Sequence, residues 1–241
     1  MSQRIRLGIL TPSSNTSLEP LTQRLVSGLP EVSVHFARFS VTQIALSPDA
    51  LGQFQQTRIL DAAKLLADAH VDAIGWSGTS AGWLGFDQDE ALCAAITEAT
   101  GVPSSTSVLA LNKALEAFGI RRLGLVSPYL ADVQSRIIAN YATVGIDARA
   151  ESHLGIQENF AFALVDDATL DRQVADVVAA GAQAITTFCT NLYAAHRVAH
   201  WEAEHGVPVF DTVTTVIWDM LRHAGVDTRR ITGWGRLLQE A

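Results

Sequence analysis

"RLGILTPSSN", Arg6–Asn15, decides the fold because the chain repeats its outline at "RLGLVSPYLA", Arg122–Ala131. Each is a short apolar run broken by Thr or Ser and then Pro, the signature of a buried strand that ends in a turn. The repetition continues in order. "DAIGWSGTS", Asp72–Ser80, matches "QAITTFCTN", Gln183–Asn191. "TEATGVP", ending at Pro103, matches "EAEHGVP", ending at Pro208, and each reads as a helix closed by Gly before a new strand. The amphipathic stretches "SVLALNKALEAFGI" and "TVIWDMLRHAGV" reach Gly119 and Gly225 in matching places. Strands alternating with helices build parallel sheets through right-handed crossovers, and an ordered internal repeat means two such units. The expected fold is α/β, with two pseudo-symmetric lobes, each a four-stranded parallel sheet flanked by helices. Residues 1–103 plus 212–241 are assigned to the first lobe and 104–211 to the second. Ligands of open parallel sheets bind beyond the carboxyl ends of the strands, so an active site is expected in the cleft between the lobes.

Composition narrows the function. The 241 residues are 48% hydrophobic and 17% charged, enough for a sizeable core. A formal net charge of −8 disfavours non-specific nucleic-acid binding, which needs a basic footprint. No apolar stretch approaches the roughly 18–20 residues of a membrane span. The start, "MSQRIRLGIL", lacks the long apolar segment of a signal peptide, so no membrane association and a cytoplasmic location are expected. Cys93 and Cys189 are the only cysteines, without CxxC or zinc spacing, and no metal is expected. Cys93, in the helix-like "EALCAAITEAT", reads as a small buried hydrophobe.

The chemistry gathers at the strand ends. Aligning "GWSGTS" with "TTFCTN" sets Gly78 opposite Cys189 and Thr79 opposite Thr190, two mirror positions on one cleft of which only one carries a thiol. A helix is expected to begin at Thr190, so that its N–H groups favour the Cys189 thiolate; a merely packed cysteine is the competing reading. "GTS", Gly78–Ser80, and "TPSSNT", Thr11–Thr16, pair hydroxyls with main-chain N–H groups, which suits a carboxylate, although helix capping uses the same residues. Neither matches a dinucleotide or P-loop pattern. Tyr129, after Pro128, and Asn159, in "LGIQENF", are further candidates for a substrate carboxylate. Trp76, Trp83 and Phe86 crowd the "GTS" turn as core or as an apolar wall, His153, His196 and His200 lack a partner pattern, and "DQDE", Asp87–Glu90, reads as a helix first turn.

These motifs resemble the aspartate/glutamate racemase superfamily, and within it the arylmalonate decarboxylase and maleate cis-trans isomerase branch. The likeness runs through "PSSNT", "GTS", "SPYLADV", "CTN" and "GWGRLL", nearly the whole chain. It implies two pseudo-symmetric lobes, no cofactor and proton transfer by cysteine at the lobe interface. Racemases and isomerases of the superfamily typically carry cysteine at both turns, whereas Gly78 with Cys189 looks like the decarboxylase arrangement. The resemblance then implies Cys189 and the Gly78 position at the catalytic centre. Substrate would be bound by Ser14, Asn15, Thr79, Ser80, Tyr129, Asn159, Thr190 and Asn191, with a dioxyanion hole drawn from Thr79, Ser80, Tyr129 and Thr190.

The expected activity is cofactor-independent decarboxylation of an aryl- or alkenyl-substituted malonate, with Cys189 protonating the enediolate. A maleate-type cis-trans isomerase or a racemase of a small carboxylic acid is the alternative, and a non-catalytic two-lobed carboxylate-binding protein is the third reading. The partner is a small carboxylic or dicarboxylic acid, and self-association into a homo-oligomer is left open. If Gly78 and Cys189 face opposite sides of a planar enediolate, Gly78→Cys is expected to add racemase activity, provided position 78 accepts a Cβ.

Overall fold

A computed structural model describes residues 4–241; Met1–Gln3, the first residues of the stretch read against a signal peptide, lie outside the described residues. Eight strands form: β1 (Ile5–Pro12), β2 (Val32–Phe39), β3 (Ala73–Trp76), β4 (Ser104–Thr106), β5 (Arg122–Ser127), β6 (Asp147–His153), β7 (Ala184–Thr187) and β8 (Val209–Asp211). They make two four-stranded sheets of the same strand order, β2-β1-β3-β4 and β6-β5-β7-β8, with every neighbouring pair parallel. The inner strands β3 and β7 are only four residues long and wholly buried. Covered on both faces, they carry continuous apolar or hydroxyl side chains instead of an alternating pattern. Both stop two residues before the mirror positions, β3 before Gly78 and β7 before Cys189.

Two equivalent helices, Ser107–Ala117 after β4 and Thr212–His223 after β8, join the halves. Each has an N-cap from the end of its strand: the Thr106 hydroxyl accepts from Leu109 N–H at 3.0 Å, and the Asp211 carboxylate accepts from Val213 N–H at 2.8 Å. Their first turns bond to each other, the Ser107 hydroxyl donating to the Thr212 carbonyl at 2.6 Å and the Thr215 hydroxyl to the Ser107 carbonyl at 2.9 Å. The Lys113 ammonium then meets the Asp219 carboxylate at 2.7 Å. Thr212–His223 also lies directly on β3, where a Cβ at Gly75 would sit 2.9 Å from Val216 Cγ2. That approach requires glycine.

The boundary expected after residue 103 moves. Ser104–Thr106 pairs with β3 in the first sheet, because Val102 and Pro103 only bring the chain back to the sheet edge and the strand itself follows. The helix expected from Thr190 is also displaced: Ala195–Arg197 is a 3-10 turn and the α-helix runs Val198–His205. Thr190, Asn191 and Tyr193 bond to the first lobe instead. "DQDE" does open a helix, Phe86–Thr100, while Cys93 is half-buried and its thiol is pushed up to about 11 chiefly by burial. Among the described residues no helix is long and apolar enough to cross a membrane.

One residue of "DQDE" departs from a solvated first turn. Asp89 is 2% exposed, its Oδ2 has no hydrogen-bond partner, and burial raises its pKa from 3.8 to about 7. The folded protein therefore holds a proton on Asp89 more tightly than the unfolded chain between about pH 4 and 7. Its contribution to stability is present below about pH 4 and is lost as pH rises through 7. Replacing Asp89→Asn should remove that loss. In urea titrations from pH 4 to 8, the stability of the variant relative to wild type should climb with pH, at up to about 1.4 kcal/mol per unit. Parallel curves for the two proteins would show that Asp89 ionises normally.

Candidate active site

The carboxyl ends of β3 and β7 meet across one buried cavity lined by Gly78, Thr79, Ser80, Tyr129, Asn159, Cys189 and Thr190 on its polar side. Pro12, Val41, Ile44, Phe54, Trp76 and Trp83 form the apolar side. Seven of the ten expected site residues thus share one space. Its volume is about 20 Å³, room for roughly one water.

Ser14, Asn15 and Asn191, expected to bind substrate, are not among the residues lining this cavity and hydrogen-bond to those that are. Asn15 Oδ1 accepts from Ser17 and Leu18 N–H at 3.0 and 2.9 Å, opening the Leu18–Leu25 helix, while its Nδ2 donates to Thr190 Oγ1 at 3.3 Å. Thr190 in turn donates to the Ser77 carbonyl at 3.2 Å. Asn191 Oδ1 accepts from Thr16 and Ser17 N–H at 2.9 and 3.2 Å, and its Nδ2 donates to the Asn159 carbonyl at 2.6 Å. Ser14 accepts from Asn159 Nδ2 at 2.7 Å and donates to the Val41 carbonyl at 2.5 Å. The Asn15 and Asn191 side-chain oxygens each accept two main-chain N–H groups and each amide nitrogen makes one bond to the protein, so these amides join the two lobes.

Donors toward the cavity come from the other hydroxyls. Ser80 Oγ accepts from Trp76 Nε1 at 3.4 Å and keeps its own proton to give. Thr79 Oγ1 and Tyr129 Oη share a 2.6 Å hydrogen bond, and the Tyr129 ring packs edge-on against Trp83 and Phe162. Burial first, and then the proximity of Cys189, push the Tyr129 pKa well above its ordinary value, so the phenol stays neutral and able to donate.

Cys189 is 2% exposed. Burial lifts its pKa from 9.0 to about 11, only partly opposed by hydrogen bonds from Tyr129 and the Asn191 and Leu192 backbone, with the Asp211 charge adding to the rise. The expected pull of local N–H groups toward the thiolate is outweighed: no α-helix starts at Thr190, and burial keeps the thiol neutral, the form that the expected proton donation needs. Asp211 is itself raised to about 6, mainly by burial, while the Thr187 hydroxyl holds it at 2.5 Å.

The apolar wall was half visible in the sequence. Trp76 and Trp83 line the cavity, whereas Phe86 turns to Tyr141, 5.2 Å between ring centroids. Val41, Ile44 and Phe54 went unnoticed: they come from the connection after β2, which reaches the second lobe through Asn159 N–H to Thr42 carbonyl at 3.0 Å and Ile44 N–H to Gln157 carbonyl at 2.9 Å. Their only signal was an apolar side chain every few residues in a connection rich in turn formers. His153, His196 and His200 stay outside the cavity, His153 and His200 beside Glu151 and Glu204 at 2.9 and 3.2 Å.

Comparison with known proteins agrees with this geometry. A family model described as arylmalonate decarboxylase matches residues 9–238. The chain is 30% identical over 238 residues to the arylmalonate decarboxylase of Bordetella bronchiseptica, covering 98% of this chain and 97% of that one. It is 26% identical over 253 residues to a maleate isomerase of Pseudomonas putida, covering the whole of both. Among solved structures, a liganded arylmalonate decarboxylase with one glycine changed to cysteine and one cysteine to serine superposes with a TM-score of 0.87. That pair is 26% identical, with 99% of this chain and 100% of that one covered.

The neutral thiol can be measured directly. In a Cys93→Ser background, ultraviolet titration of thiolate absorbance should show Cys189 ionising near pH 11, and Tyr129→Phe, which removes a bond that favours the thiolate, should move the midpoint higher still. A midpoint below the ordinary thiol value of about 8.5 would mean that the N–H groups win over burial.

Proposed function

The chain belongs to the arylmalonate decarboxylase family, and from that membership we propose that it is a cofactor-independent decarboxylase of aryl- or alkenyl-substituted malonates in which Cys189 is the proton donor. The observation that carries the reading is the unequal pair at the two strand ends: a neutral, buried thiol at 189 and no side chain at 78, both on one cavity.

The cavity's two sides suit the two carboxylates of such a substrate. One carboxylate accepts hydrogen bonds from Ser80 and from the Thr79–Tyr129 pair, the Thr190 hydroxyl being engaged with the Ser77 carbonyl beside them; the other lies against Val41, Ile44, Phe54, Trp76 and Trp83, where it loses hydration without gaining a partner. Desolvation favours release of neutral CO₂ over retention of the charged carboxylate. As the C–C bond breaks, its electron pair passes into the remaining carboxylate to give an enediolate, whose growing charge the hydroxyl donors stabilise. Cys189 Sγ–H then gives its proton to the α-carbon, and the thiolate recovers a proton from water. With a pKa near 11 the thiol is protonated before each turnover by roughly 10⁴ to 1 at pH 7. A cavity of about 20 Å³ has to enlarge to admit a substituted malonate.

The full-length similarity to a maleate isomerase favours a second reading, cis-trans isomerisation. It calls for a nucleophile that attacks the double bond, and a thiol held protonated at neutral pH is poorly prepared for that role.

Incubation with substituted malonates and, separately, with maleate, without added cofactor, separates the readings. CO₂ release with a single product hand supports the decarboxylase, and fumarate the isomerase. Cys189→Ser should lower decarboxylation at least about a hundredfold, the usual cost of losing a positioned acid, while leaving carboxylate binding and melting close to wild type. The rate should be level across neutral pH and fall toward pH 11 as the thiol ionises. A rate that climbs over that range would identify the thiolate as the working form and overturn the assignment of Cys189 as acid.

A further inference from the structure

The glycine at position 78 is not an open place. An ideal Cβ built on Gly78 would lie 2.5 Å from Trp76 Cη2 and nearer still to Cζ2 and Cε2, so the indole of the residue two places earlier occupies the volume that any side chain there would need. The backbone is not the obstacle, since Gly78 is not among the glycines with positive φ. Nor can the indole step aside cheaply. Trp76 is 1% exposed, its Nε1–H donates to Ser80 Oγ at 3.4 Å, and its face packs on Phe39 with ring centroids 5.0 Å apart. The matching positions of the second half reverse the sizes: Thr187 ends β7 where Trp76 ends β3, its hydroxyl is turned to Asp211 at 2.5 Å, and Cys189 has room to carry a thiol into the cavity.

We infer that Trp76 is a specificity-determining residue that makes the site one-sided: its indole fills the place of a side chain at position 78, leaving Cys189 as the only thiol able to reach a bound substrate and closing the opposite face to an acid, a base or a nucleophile. The condition set for Gly78→Cys, that position 78 accepts a Cβ, is not met while Trp76 is in place, so that substitution alone is not expected to create a racemase. The inference rests on the decarboxylase reading only for its consequence in chemistry; the exclusion itself is steric.

The test is a double-mutant cycle with two readouts. For packing, Gly78→Ala in the wild-type background should lower Tm by roughly 2–12 °C, the range expected when a well-packed core of this size is overfilled. The same substitution beside Trp76→Leu should cost little, because the space has been vacated. For chemistry, each enantiomer of an α-aryl carboxylic acid is incubated in D₂O and followed for α-deuterium by NMR. Wild type should exchange one enantiomer only, and Trp76→Leu/Gly78→Cys should exchange both. An Ala substitution at 78 that leaves Tm unchanged, or that costs as much with Leu at 76 as with Trp, overturns the inference. So does exchange of both enantiomers by Gly78→Cys with Trp76 in place. If the coupling in Tm is found but wild type exchanges neither enantiomer and releases no CO₂ from malonates, the decarboxylase reading falls and the steric assignment of Trp76 stands.

Discussion

The buried amide of Asn191 ties the turn after β7 to the turn after β1, and the geometry of the site depends on it. Its oxygen takes the N–H groups of Thr16 and Ser17 from the first lobe and its nitrogen donates to the Asn159 carbonyl of the second, while its own carbonyl accepts the Ser17 hydroxyl at 3.0 Å. Each such buried group would cost about 1–3 kcal/mol if left without its partner, so the turn that carries Cys189 cannot drift from the turn that carries Thr16 without breaking several at once. Thr190, between Asn15 and the Ser77 carbonyl, repeats the constraint one residue away. The α-helix yields to these bonds: residues that could have begun it at Thr190 spend their polar groups across the cleft, and regular helix resumes only at Val198.

Held in this way, the cavity has an electrostatic character unrelated to the chain's net charge. No Lys or Arg lines it. Its polar side consists of neutral donors, and both ionisable groups nearest the reacting position, Cys189 and Tyr129, are kept protonated by burial. Oriented dipoles of this kind suit an anion, and in the decarboxylation proposed above they would need no reorganisation when charge moves from a carboxylate to an enediolate. A fixed cation would hold the departing carboxylate as firmly as the retained one and would oppose its conversion to neutral CO₂. In the proposed reaction the apolar side formed by Val41, Ile44 and Phe54 therefore matters as much as the hydroxyls opposite.

The sequence was most legible where structure is local. Apolar runs ending in hydroxyl, Gly or Pro marked β1, β3, β5 and β7, and the match of "GWSGTS" to "TTFCTN" has the correct register, with Gly78 and Cys189 each two residues past a buried strand. What it hid depends on distance in space. Asn15 and Asn191 have the chemistry of ligand-binding residues, and their bonds to partners 174–175 residues away, invisible in the sequence, tie the two lobes together. The covering residues Val41, Ile44 and Phe54 carry no motif, because an apolar wall needs only shape. The sign of the Cys189 shift turned on burial, which opposes the local N–H groups and which a single strand end does not reveal.

A pseudo-symmetric scaffold makes asymmetric chemistry through side-chain volume. Residues two apart at a strand end project to the same side, so the pair 76 and 78 and the pair 187 and 189 each divide one allotment of space. The first half gives it to an indole and leaves glycine next in line; the second divides it between a threonine and a thiol. An interior packed at crystal-like density does not let both members of a pair be large, so the choice at the strand's last residue decides whether the turn beyond it can carry a reactive group. The asymmetry of this site is therefore set in β3 and β7, before the chain reaches the cavity.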